Sequence, residues 1–150
     1  MRKALYTVAF TTVLCGVSAA AITAAHVLWD ERCRANLSYE KHLAVLDVLG
    51  LLDGRRLGAM EVREVFRKSV EVKRTGGVEV FQAADAGERS VYAVHIEGMG
   101  RQGPIRGVLG IGPDKKTVTA LRFYQQQETP GYGGRIASAE FLDQFAGKSI

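Results

Sequence analysis

Gln127-Glu128-Thr129-Pro130-Gly131-Tyr132-Gly133-Gly134 decides how the rest of the chain is read. Pro130 fixes its own φ and pushes Thr129 out of the helical region. Glycine fills three of the four positions from Gly131 to Gly134, so the backbone there can take positive φ and admit close neighbours. The stretch follows the apolar run Val118 to Tyr124, which reads as a strand. A strand feeding such a turn sets a carboxylate, a hydroxyl and an aromatic ring together, and that suits a polar planar ligand. Pro-Gly and Gly-Gly also mark ordinary surface turns. Local chemistry alone favours the ordinary turn.

Working outward, the segment before the turn reads as strands. Ser69 to Lys73 alternates, Thr75-Gly76-Gly77 turns the chain, and Val78 to Phe81 returns it, which is a hairpin signal. Arg89 to Ile96, Ile105 to Ile111 and Thr117 to Tyr124 give three more strands. Gly98 to Pro104 reads as a hairpin loop between two of them. Its glycines match dinucleotide-loop intervals, but Pro104 and the strand after it deny the helix that a pyrophosphate needs. After the turn, Ser138 caps a last helix, Glu140 lies near its positive end, and Gly147 stops it. Met60 to Arg67 reads as a short amphipathic helix.

The N-terminal part differs in kind. Ala4 to Trp29 contains no Asp, Glu, Lys or Arg. As a helix it spans about 39 Å, enough to cross a bilayer core with some tilt. Trp29 suits the interface. A cleaved signal peptide competes with this reading through Ala19-Ala20-Ala21 and Ala24-Ala25, but the uncharged run exceeds a usual signal core. A lipoprotein signal ending at Cys15 conflicts with Leu14 and with the apolar residues beyond. A buried core helix seldom runs this far without charge. The sequence thus favours an uncleaved anchor over residues 1–30. Arg2 and Lys3 argue for the N-terminus inside, against weak opposition from Arg32 and Arg34. From Asp30 a helical pattern continues to Leu52, and Asp53-Gly54 is expected to end it.

Composition narrows the function. The formal net charge is +4, and apart from Arg55-Arg56 and Lys115-Lys116 the basic residues are scattered, which argues against a nucleic-acid partner. Two cysteines, Cys15 and Cys33, make no disulfide framework. His26, His42 and His95 are far apart, so no metal site is expected. No nucleophile elbow or phosphate-binding loop stands between a strand and a helix. The fold class expected is α+β: an N-terminal transmembrane helix, then an antiparallel sheet with packed helices.

Taken in order, the motifs resemble a known family. They are Gly103-Pro104-Ile105 with Gly107, Asp114 to Val118, Leu121-x-Phe123-Tyr124, Glu128 to Gly134, and Phe145-x-Gly147-Lys148. The exit Arg32 to Asn36 and Gly50-Leu51 agree. The chain is similar to NqrC, the FMN-binding subunit of the sodium-translocating NADH:quinone oxidoreductase. It shares the E-T-P-G core with the related subunit of the Rnf electron-transport complex. The resemblance implies an FMN-binding domain with an antiparallel sheet over residues 31–150, facing the periplasm from the bacterial inner membrane. It implies that Glu128, Thr129, Pro130, Gly131, Tyr132 and Gly133 line the flavin pocket. It also implies partners, namely the bilayer and the other membrane subunits of an oxidoreductase complex, so that this chain is one part of a complex and not an enzyme alone. Glu128→Gln is then expected to be mild for folding and to weaken bound flavin.

Two departures qualify this. The family has leucine where Tyr132 stands. It also attaches FMN through phosphate to a threonine in an S-G-A-T segment downstream of Gly147-Lys148, and no threonine here follows Ser-Gly-Ala. The domain therefore reads as C-terminally short, by truncation, by division between polypeptides or by degeneration, and without covalent FMN. Two functions follow: a flavin-carrying electron-transfer subunit, or a membrane-tethered structural or assembly module with the same fold and no flavin.

Overall fold

The structure, a computed structural model, describes residues 2–52, 54, 56–85, 87 and 90–150, with the side chain of Arg2 left out. By contacts it forms two compact units, residues 1–36 and 37–150. The helix α1 (Arg2–Val48) runs from the first into the second.

Within the first unit the helix is bare. It holds a window long and apolar enough to cross a membrane, none of it buried. Leu5, Phe10, Val13, Leu14, Ile22 and Trp29 are exposed. Thr7, Thr11, Thr12 and Thr23 each return their hydroxyl to the carbonyl four residues back. That bond satisfies the only polar atom each side chain carries, as a helix in hydrocarbon requires.

The second unit begins with the end of α1. Gly50 takes a φ of +72° there. The Gly50 N–H donates to Asp47 O at 3.0 Å and the Leu51 N–H to Leu46 O at 2.9 Å. This double closure satisfies orphan carbonyls and needs a left-handed residue, which is why a glycine stops the helix. The stop comes ahead of the Asp53-Gly54 expected from sequence; residue 53 itself lies outside those described, as does Arg55.

Helix α2 (Ala59–Ser69) leads directly into the sheet, so Ser69 ends a helix and does not open the strand. Five strands follow in a meander: β1 (Val70–Thr75), β2 (Val78–Ala83), β3 (Tyr92–Met99), β4 (Pro104–Ile111) and β5 (Val118–Gln125). Each pairs antiparallel with the next. The third begins at Tyr92; its expected start, Arg89, is outside the described residues. Register sets Phe81 opposite Ala93 and Ala93 opposite Gly110. That face meets Ala44, Val45 and Val48 of α1, and with Val108 they form the core. A Cβ at Gly110 would stand 2.9 Å from the Val48 side chain, so the absent side chain there lets helix and sheet close.

After β5 come the glycine-rich turn, a 3-10 turn (Gly134–Ala137), the short helix α3 (Ala139–Leu142) and a second 3-10 turn (Asp143–Phe145). The single helix expected after Ser138 is thus broken into pieces. Ser138 does cap, its hydroxyl accepting from the Phe141 N–H at 3.3 Å. The α+β architecture read from the sequence is the one observed.

Candidate functional site

The site is built where two turns lie side by side at one end of the sheet: the β3–β4 loop, residues 100–103, and the turn after β5. The loop is closed by the Gly100 N–H donating to Gly103 O at 2.8 Å. The turn is closed on one atom. Thr129 O accepts from the N–H groups of Tyr132, Gly133 and Gly134 at 3.0, 3.2 and 3.1 Å. Three converging donors on one carbonyl need a tight backbone, and Gly131 supplies it at a φ of +88°.

Glu128 joins the two turns. Its Oε1 accepts from the Gln102 N–H at 3.0 Å. Its own N–H donates to Gln126 Oε1 at 2.7 Å. Its carboxylate fills the space that side chains would need at Gly133, whose Cβ would stand 2.7 Å from Oε2, and at Gly100, whose Cβ would collide with Oε1. Gln127 likewise occupies the place of a Cβ at Gly103, 2.7 Å away. Glycine at 100, 103 and 133 thus makes room for two neighbouring side chains.

Of the six residues expected to line a pocket, Glu128 and Gly133 are half-buried in this junction, while Thr129, Pro130, Gly131 and Tyr132 are exposed. Gly133 has an extended φ of −163°, so its glycine answers to crowding by Glu128 and not to backbone handedness. Tyr132 is 82% exposed, and the Arg101 guanidinium lies over its ring at 5.9 Å. The amides of Tyr132, Gly133 and Gly134 are already engaged by Thr129. Among the described residues, those of Thr129 and Gly131 have no partner within the chain.

Sequence reasoning did not single out Arg101, Met99, Ile105 or Phe123. Met99 is 83% exposed. Ile105 borders Gly100, and with Ile96, Met99 and Phe123 it lines a hollow of about 280 Å³. Glu97 is at the rim of this hollow and accepts from Arg106 Nε at 3.0 Å, a bond that holds its carboxyl below the usual range. Met and Arg inside a glycine loop were the available signal, since neither has a reason to stand exposed in a plain hairpin.

An apolar hollow, an exposed aromatic ring, a cation and two open amides are what the ring, carbonyls and phosphate of a flavin ask of a protein. The residues therefore fit FMN. The fit rests on surfaces around the turn and not on the three amides of the turn itself. A larger cavity of about 430 Å³ lies elsewhere in the second unit, lined by residues including Tyr39, Leu43, Asp47, Leu57, Arg122 and Tyr124. Polar groups on its walls bond to each other: Tyr39 donates to Leu57 O at 3.2 Å and Arg122 pairs with Asp47. It shares no residue with the turn.

Comparison with known proteins points to the same end of the sheet. Residues 100–149 match the FMN-binding domain family. The chain is 49% identical over 55 residues to NqrC of the Na(+)-translocating NADH-quinone reductase from Chlamydia pneumoniae, a match covering 37% of this chain and 17% of that protein. It is 30% identical over 78 residues to the corresponding protein of Vibrio alginolyticus, covering 52% and 30%. The matches thus span less than a third of these relatives. The crystal structure of NqrC from Parabacteroides distasonis superposes with a TM-score of 0.59 at 20% identity, covering 81% of this chain and 69% of that one. The resemblance drawn from the motifs holds: residues 100–149 carry the sequence of an FMN-binding domain, and the chain has the fold of NqrC from the Na(+)-translocating NADH-quinone reductase.

Proposed function

We propose that this chain is a membrane-anchored, flavin-carrying electron-transfer subunit of an ion-translocating NADH:quinone or ferredoxin:NAD oxidoreductase. The match of residues 100–149 to the FMN-binding domain carries this reading, and the fold supports it. In it, Thr129, Pro130, Gly131 and Tyr132 border the flavin with Met99 and Phe123, and Glu128 and Gly133 hold the turn that presents them. The flavin, when bound, takes and gives up electrons. The chain's own residues exclude water from one face through the apolar hollow, offer the Thr129 and Gly131 amides to ring carbonyls, and set the Arg101 cation nearby. The anchor is residues 1–30, the flavin domain follows from residue 31, and that domain faces the periplasm. Other membrane subunits of the complex surround it. FMN is held without a covalent bond, since no threonine follows Ser-Gly-Ala.

Absorption of the purified full chain tests this. Flavin bands near stoichiometric occupancy after incubation with FMN, and a domain removed by protease added from the periplasmic side, are the expected results. A colourless protein that takes up no FMN overturns the flavin reading. It would favour the structural or assembly module, a reading to which the self-bonded amides of the turn lend support.

A further inference from the structure

We propose that Glu128 is a positioning residue, which fastens the β3–β4 loop to the glycine-rich turn and leaves its carboxylate out of contact with the flavin. The proposal rests on the flavin reading above for the site it positions, and on geometry for the fastening itself. Both carboxylate oxygens are engaged inside the chain. One accepts the Gln102 N–H at 3.0 Å, the single side-chain bond that ties loop to turn among the described residues. The other stands 2.7 Å from where a Cβ at Gly133 would be, against the backbone of its own turn. Gly100 and Gly133, one in each turn, leave their sides open to the same carboxylate. A carboxylate wedged between two glycines and bonded to a backbone amide across the gap is oriented toward the protein.

The consequence concerns Arg101. It is next to Gln102, and its guanidinium lies over the Tyr132 ring. Fixing the Gln102 amide fixes the backbone that carries Arg101, so Glu128 sets where the loop cation and the turn's aromatic ring meet. The two turns act as one surface because of this bond. A carboxylate bonded to an N–H gives a charge-assisted bond, roughly twice as strong as a neutral one. An amide oxygen in the same place still accepts, and a methyl group does not.

The test uses the full chain in detergent as wild type, Glu128→Gln, Glu128→Ala, Gly133→Ala and the Glu128→Ala/Gly133→Ala double variant. Hydrogen exchange is followed over residues 99–103, together with the FMN dissociation constant and the absorption bands of bound FMN. Glu128→Ala is expected to speed loop exchange and weaken FMN, each by about 10-fold or more, the loss of one charge-assisted bond. Glu128→Gln is expected to do so by about 3-fold, because a neutral bond replaces it. The absorption bands of whatever FMN binds stay in place in both. Gly133→Ala loosens the loop in the wild type and adds little in the Glu128→Ala background, since residues in contact are not additive. A Glu128→Gln variant that shifts the flavin bands, or loses as much FMN as Glu128→Ala while loop exchange is unchanged, overturns the proposal in favour of direct contact. Additive effects in the double variant also overturn it. If the wild type takes up no FMN, the flavin reading fails alone. The exchange rates then decide the fastening by themselves, and unchanged exchange in Glu128→Ala sinks it.

Discussion

Gly131 has a φ of +88° and no atom within 4 Å of where its Cβ would stand. A side chain there meets open space, so only the backbone opposes it. Gly131→Val is therefore expected to destabilise the fold by about 1–3 kcal/mol, the cost of a strained residue held in place by its surroundings. It is also expected to lower FMN affinity, because relaxation toward negative φ swings the Gly131 and Tyr132 peptide away. Urea unfolding and an FMN titration of the variant check both; full occupancy in Gly131→Val would place the flavin elsewhere. The contrast with Gly133 shows what was legible at this scale. The sequence marks both positions as permissive and gives both the same reason. Only the folded geometry separates a glycine required by its own φ from one required by a neighbour's carboxylate. Arg101 was illegible for a related reason: its meaning comes from Tyr132, thirty-one residues away, and no local pattern joins them.

Elements were easier to read than their ends. Strict alternation fixed the β1–β2 hairpin, and β-branched runs fixed the strands after it. The end of α1 was misplaced because Asp53-Gly54 is a stronger local stop signal than Gly50, while the closure at Gly50 depends on carbonyls a turn earlier. Pairing between elements was not legible at all. Lys41 on α1 reaches Glu79 on β2 at 2.5 Å, and Arg74 on β1 reaches the same carboxylate at 2.8 Å. The Lys41 bond first, then that of Arg74, draws the Glu79 carboxyl from 4.5 down to about 2. A folded value below the unfolded one means that the pair stabilises the fold above pH 4.5 and loses that effect as pH falls from 4.5 toward about 2. The stability advantage of the wild type over Lys41→Ala is therefore expected to be full at pH 6 and to shrink below pH 4.5. Urea midpoints of the two proteins at pH 6 and pH 3 measure it. An advantage that is the same at both values would show that Lys41 acts through its stem over the Phe81 ring and not through its charge.

At the scale of the whole molecule the chain carries two kinds of hydrophobic surface, and they answer to different solvents. The apolar residues of the first unit are exposed along the helix, and a bilayer is the environment that such a surface requires. The second unit closes its own core with Ala44, Val45 and Val48 of α1 against Phe81, Ala93 and Val108. Every one of these core residues lies within 37–150. This division was legible from composition, because an uncharged run followed by an alternating, charged sequence needs no pairing information to interpret. Removal of residues 1–36 should therefore leave the sheet and its core as they are. The shortened chain is expected to be soluble without detergent and to show the antiparallel strand and helix signals of the full domain by circular dichroism. Its thermal midpoint should lie within a few degrees of the detergent-solubilised full chain, since no core contact is removed and a change of 1 kcal/mol moves a domain of this size by about 4 °C. The full chain should resist extraction from membranes by alkaline carbonate, and the shortened one should never enter the membrane fraction. An insoluble or non-cooperatively melting 37–150 fragment would show that the first helix contributes to the fold of the domain beyond its place in the membrane. Extraction of the full chain by carbonate would remove the anchor from the proposed function while leaving the flavin site untouched.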